Sequence, residues 1–124
     1  MKKLTFFVAL IICFGFQSIS QVVIPENVQD GFSKKFPAAK KVKWEKENDA
    51  EFEASFKMDG KTMSANFDND GNWLETEWDV KVKDLPKVVT DAVYQQYPCF
   101  EIEGAEYCES PGFTGYEMEI EKCK

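Results

Sequence analysis

A chain of 124 residues has room for one domain and a short appendage. Its 22 acidic residues outweigh 15 basic ones, a net charge of −7 that repels phosphate backbones and excludes nucleic acid as a natural partner. Every basic residue is a lysine and histidine is absent. The commonest general base and the usual bidentate clamp for phosphate or carboxylate are therefore both missing, and the composition points away from an enzyme.

The chain opens Met1-Lys2-Lys3, runs apolar from Leu4 to Phe16 and reaches Gln17-Ser18-Ile19-Ser20. A basic start, about a dozen apolar residues and small residues at Ser18 and Ser20 form the secretory pattern. It predicts a signal peptide over 1–20, cleaved between Ser20 and Gln21, and a periplasmic or secreted protein. The apolar run falls short of the roughly 20 residues needed to span a bilayer, so no stable membrane insertion is expected after cleavage. Lipidation at Cys13 is disfavoured, because Ile12 stands where a lipid-attachment signal wants a small residue. Without Lys2 and Lys3, the expected mature chain 21–124 keeps 13 basic residues against 22 acidic ones, a net charge of −9.

Beyond Val23 the chain repeats itself. Ile24-Pro25 returns as Leu85-Pro86 and Phe36-Pro37 as Tyr97-Pro98, both displaced by 61 residues, with Val28 and Phe32 matched by Val89 and Val93. The repeat divides the domain into halves of about 24–83 and 84–121. Val28, Phe32 and Phe36, spaced by four, predict one apolar stripe of a helix. Pro25 is tolerated in its first turn, and Pro37 forces Phe36 out of helical backbone. Val89, Val93 and Tyr97 predict a second helix, with Asp84 at its start and Pro98 as its stop. Phe32 and Val93 are both expected to be buried against a sheet.

Strands follow. Val42 and Trp44 alternate with lysines, and Phe52, Ala54, Phe56 and Met58 alternate with Glu53, Ser55 and Lys57. Asp59-Gly60 signals a hairpin. Met63, Ala65 and Phe67 lead to a turn at Asp68–Gly71, and Leu74, Thr76, Trp78, Val80 and Val82 alternate with polar residues. A strand is expected near 102–109, a turn at 111–115, and a last strand in which Tyr116, Met118 and Ile120 alternate with glutamates. Strict alternation means one apolar and one wet face, and two amphipathic helices must cover the apolar one. The predicted fold class is α+β: two layers, an antiparallel sheet with two helices on one face.

The helix ending Phe36-Pro37, Val42-Lys43-Trp44-Glu45, Phe52–Phe56, Phe67–Leu74 with its Asp-Asn-Asp-Gly-Asn-Trp core, and Asp84-Leu85-Pro86 together resemble the PepSY-like family of exported bacterial proteins. Its units look like the fold of β-lactamase inhibitor proteins. The resemblance covers about 24–121 and implies a periplasmic or secreted domain that binds or inhibits another protein, with no catalytic residues to carry over.

Asn66, Asp68, Asp70, Gly71 and Glu77 have the spacing of a calcium loop, with ligands at its first, third, fifth and twelfth positions and glycine at its sixth. Asparagine at the first position, strand-like flanks and the turn chemistry of Asp70-Gly71 favour a plain hairpin, and no metal or other cofactor is expected. The expected mature chain keeps three of the four cysteines, Cys99, Cys108 and Cys123, an odd number, so at least one stays unpaired. A hairpin turning near residue 113 would bring Cys123 opposite residue 103 and near Cys99, making Cys99–Cys123 the expected bond and leaving Cys108 to face residue 118. Three scattered cysteines without histidine make a poor zinc site. Glu75/Glu77 and Glu117/Glu119 could suggest glycosidase chemistry, but a spacing of two is what the wet face of a sheet requires. That face is the expected binding surface, formed by Glu53, Glu75, Glu77, Glu117 and Glu119, with Trp73 as aromatic anchor. Its partner would be another exported protein with a basic surface. A small-ligand or cation sensor is the alternative.

Overall fold

The computed structural model describes residues 22–123, so the expected signal peptide, its cleavage site and Cys13 lie outside the described residues. The order of elements is helix α1 (Glu26–Lys35), strands β1 (Lys40–Lys46), β2 (Glu51–Met58), β3 (Lys61–Asp68) and β4 (Trp73–Asp79), a 3₁₀ turn (Val82–Asp84), helix α2 (Lys87–Gln96), and strands β5 (Phe100–Ser110) and β6 (Phe113–Lys122). The six strands form one antiparallel sheet in sequence order. This is the expected two-layer α+β architecture.

The helices start and stop for the reasons the prolines suggested. Pro25 and Pro86 occupy equivalent N-cap positions with extended backbone, at φ −56, ψ 145 and φ −57, ψ 137. Phe36 and Tyr97, each held before a proline, leave the helix at φ −125, ψ 62 and φ −127, ψ 68. Glu26 in the first turn of α1, and Lys34 and Lys35 in its last, complement the helix dipole.

Packing is unequal between the halves. Val28, Phe32 and Phe36 of α1 and its exit meet Phe52, Ala54, Phe56, Met63, Ala65 and Phe67 of β2 and β3 in one buried cluster. Phe32 is its hub, with ring centroids 5.1 to 6.0 Å from those of Phe36, Trp44, Phe56 and Phe67. The second cluster buries only Leu85, Ile102 and Ala105, with Val80, Val82, Val93, Tyr116, Met118 and Ile120 packed partly against it. No residue of α2 is fully buried. Phe32 is 6% exposed as expected, but Val93 is only half-buried, a departure from the strict repeat.

A glycine pair accounts for part of the difference. A methyl group built on Gly31 of α1 would collide with the Gly71 carbonyl in the β3–β4 turn, and one on Gly71 would collide with the Asn27 carbonyl of α1. Two missing side chains let the turn seat directly on the helix backbone, where the Asn27 side-chain amide donates to the Asn69 carbonyl at 2.7 Å. In α2 the position of Gly31 is taken by Ala92, and Gly112 in the β5–β6 turn faces open space. That interlock therefore has no counterpart in the second half.

Two boundaries differ from the sequence reading. β4 ends at Asp79, and Val82 enters the 3₁₀ turn, although Val80 and Val82 still point their apolar side chains into the second cluster. The β5–β6 hairpin turns on Pro111 and Gly112 alone, so Ser110 faces Phe113 and Cys108 faces Gly115 instead of residue 118.

Candidate functional site

Alternation sends every second side chain to the face of the sheet that the helices leave uncovered. Register then decides which of them meet. Ser64 stands opposite Glu77, Glu77 opposite Cys108, and Cys108 opposite Gly115. One step along, Asp79 stands opposite Glu106 and Glu106 opposite Glu117, with Glu119 opposite Gly104. The sheet thus gathers Glu75, Glu77, Glu117 and Glu119 on β4 and β6, as the wet face required. It adds Asp79, Glu106 and Cys108, which sequence reasoning left out. Asp79 shares the parity of Glu77 and was within reach; Glu106 and Cys108 needed the β4–β5 pairing, which no local pattern reveals.

Glu53 is two strands away on β2, opposite Asn66 and Glu45. Burial raises its carboxyl above the ordinary value, helped by the charges of Glu47 and Glu45. The expected carboxylates therefore fall into two groups: the cluster on β4–β6, and Glu53 apart from it.

At the centre of the β4–β6 group the Cys108 thiol lies 3.6 Å from Glu77 Oε1 and 3.7 Å from Glu117 Oε2. Burial first, and then the charge of Glu77 and its neighbours, push the thiol up to about 12. It is consequently a protonated donor at neutral pH, and its single hydrogen serves one carboxylate at a time. Burial and the charge of Glu75 raise the Glu77 carboxyl as well. The Cys108 sulfur and the two carboxylate oxygens lie within 4.8 Å of one another, the one such group of potential metal ligands among the described residues. A cation taking all three as ligands would have to displace the thiol proton, so as it stands the trio is a hydrogen-bonded acidic knot. A shallow cleft of about 270 Å³ opens over it beside Phe113, and a second of about 390 Å³ lies between Asp79, Glu106, Glu117 and Glu119. Gly104, without a side chain, helps form the second.

Among the described residues no lysine forms an ion pair with these carboxylates: the two ion pairs, Lys46–Asp49 at 3.0 Å and Lys87–Asp91 at 2.6 Å, lie elsewhere.

One expectation is corrected. Trp73 does not point out of the open face. The β3–β4 register passes from Asn66↔Glu75 to Phe67↔Trp73, so Leu74 is an extra residue, and the bulge reverses the parity of everything before it. Trp73 turns to the helix side, against the first core cluster. There its indole N–H donates to Thr76 Oγ1 at 2.9 Å and the Lys35 ammonium of α1 sits 3.4 Å from the ring centroid. It packs against α1, on the side of the sheet opposite the carboxylates.

The calcium-loop residues do not converge either. Asp68 spends its carboxylate on the turn, accepting from the Asn72 side chain and from the Asn72 and Asp70 amides, each at 2.9 Å, which holds its pKa below the ordinary value. Asn66 stays in β3 opposite Glu75, Asp70 caps the turn, and Glu77 leaves along β4 toward Cys108. Gly71, at φ +83, supplies the left-handed residue of that turn.

The sequence matches the family described as "Putative beta-lactamase-inhibitor-like, PepSY-like" over residues 15–60 and 50–123. A search of the curated proteins returns no match. Among solved structures, a BLIP-like protein of Bacteroides fragilis is similar at 25% identity and a TM-score of 0.73, over 83% of this chain and 75% of that one. A DUF2874 family protein of Bacteroides ovatus is similar at 27% identity and a TM-score of 0.71, over 82% and 73%. A protein of Bacteroides eggerthii described as "putative periplasmic" shares the fold at 20% identity and a TM-score of 0.69, over 82% and 74%. No helix among the described residues is long and apolar enough to cross a membrane.

Proposed function

This chain belongs to the PepSY-like, β-lactamase-inhibitor-like family, and from that premise we propose that it is an extracytoplasmic protein-binding module that docks a basic protein on the β4–β6 end of its open sheet face. The observation that carries the reading is the set of six carboxylates, Glu75, Glu77, Asp79, Glu106, Glu117 and Glu119, gathered there by the register with no lysine paired to them among the described residues. Half-buried Glu77 is costly to keep ionised, because burial and the neighbouring charge of Glu75 raise its carboxyl. A cationic partner would offset that cost and be steered in by the negative charge. The family description names an inhibitor and the site holds no nucleophile–base pair: the thiol at its centre is kept protonated. Both favour binding over catalysis, and the expected signal peptide favours the periplasm or beyond.

Binding of a lysine-rich model peptide, measured by calorimetry at two ionic strengths, tests the surface. The triple reversal Glu77→Lys, Glu106→Lys, Glu117→Lys should abolish the binding, whereas Glu26→Lys, Glu45→Lys, Glu47→Lys, with the same net charge, should retain most of it. Equal loss in the two triples would mean that net charge alone attracts the peptide, and would sink the assignment to this face.

A further inference from the structure

We propose that Cys99 and Cys123 form an intramolecular disulfide that staples the second half of the domain. The β5–β6 ladder pairs Phe100 with Lys122, and one step outward the Cys123 amide donates to the Cys99 carbonyl at 2.8 Å. The two cysteines, free thiols here, therefore face each other one step beyond the ladder, Cys99 in the turn that leads into β5 and Cys123 just past the end of β6. A backbone bond of that kind holds the two Cα atoms roughly 5.5 Å apart, within the roughly 4.4–6.8 Å window a disulfide accepts. The two-residue turn at Pro111-Gly112, together with the extra residue Glu103 between Ile102 and Gly104, sets this register.

The chemistry separates these two thiols from the third. Cys99 and Cys123 are exposed, whereas Cys108 is buried among carboxylates that hold its proton. Exchange needs a thiolate, so Cys108 is a poor competitor. In the step itself, the thiolate of one exposed cysteine attacks a disulfide oxidant and releases one thiol. The thiolate of the other then attacks the mixed disulfide and releases the second thiol. Two protons and two electrons pass to the oxidant, and one S–S bond remains in the protein.

Packing shows what the bond would do. Nine buried residues hold the first half and three the second, and α2 contributes none of those three. Cys99 lies just past the end of α2, and Cys123 at the end of edge strand β6. The bond closes the β5–β6 hairpin at its open end, restricting the unfolded chain where the core is thinnest. An oxidising compartment, expected from the export reading, would supply the oxidant.

The test uses the chain with Cys13→Ser, which leaves Cys99, Cys108 and Cys123 as its cysteines, and cystamine, a small cationic disulfide that Glu101, Glu103 and Glu121 beside Cys123 do not repel. After oxidation, unfolding, alkylation without reduction and digestion, mass mapping should find Cys99 joined to Cys123, with Cys108 alkylated and the protein monomeric on a non-reducing gel. The oxidised form should melt roughly 10 °C above the reduced one. Cys99→Ser and Cys123→Ser should each lose that difference, and Cys108→Ser should keep it. Stable cystamine adducts on Cys99 and Cys123, disulfide-linked dimers, or a bond involving Cys108 would overturn the pairing. A correct bond without a melting shift would overturn its role as a staple.

Discussion

Gly31→Ala offers the sharpest test of how this domain is held together. In an ordinary helix interior the change stabilises by about 1 kcal/mol, because alanine loses less backbone freedom on folding. Here the new methyl would strike the Gly71 carbonyl, and backbone on both sides prevents either from turning aside. Relief requires α1 to lift from the β3–β4 turn. Val28 and Phe32 would then withdraw from the aromatic cluster, and the Asn27–Asn69 bond would stretch. Overpacking of this kind costs about 1–3 kcal/mol, at times more, and no flexible side chain lies at the contact to soften it. Because backbone meets backbone, the upper end of that range, about 3 kcal/mol, applies, leaving a net loss of about 2 kcal/mol, which for about a hundred residues lowers the melting temperature by about 8–16 °C. Thermal melts followed by circular dichroism, with denaturant titration at unchanged slope, measure it. Ala92→Gly at the matching position of α2 is the control, where only the propensity loss of about 1 kcal/mol is expected. A Gly31→Ala protein more stable than wild type would refute the interlock.

The unequal cores make a second prediction. Phe32→Ala should cost about 3–5 kcal/mol and Val93→Ala about 1 kcal/mol; equal losses in denaturant titrations would show that α2 is packed as firmly as α1. A third concerns pH. Because the folded state raises the Glu77 pKa above 4.5, its ionised form destabilises the fold at neutral pH, and that penalty fades as pH falls through the folded pKa. Glu77→Gln should therefore melt above wild type at pH 7 and converge with it toward pH 4.5; an offset independent of pH would refute the charge argument.

Periodicity and punctuation in the sequence determined the helices, their proline-set ends, the alternating strands, the Phe32 stripe and the existence of an acidic wet face. All of these depend on neighbours within a few positions along the chain, which sterics and hydrophobic phase make legible. The carboxylates at Glu75, Glu77, Glu117 and Glu119 were readable for the same reason. Tertiary structure alone decided how they combine. One extra residue at Leu74 reversed Trp73 from the wet face to the helix side, although the alternation around it looked unbroken. A turn two residues long, where a broader one was expected, moved Cys108 from residue 118 to Gly115, while β4–β5 pairing placed it beside Glu77. Gly31 and Gly71, 40 positions apart, set the depth at which α1 docks, a fact no window of sequence contains. Bulges, turn lengths and close backbone approaches are settled by the free energy of the whole packed sheet. A single-residue slip carries every later side chain to the opposite face, so the composition of the surface was legible while its arrangement was not.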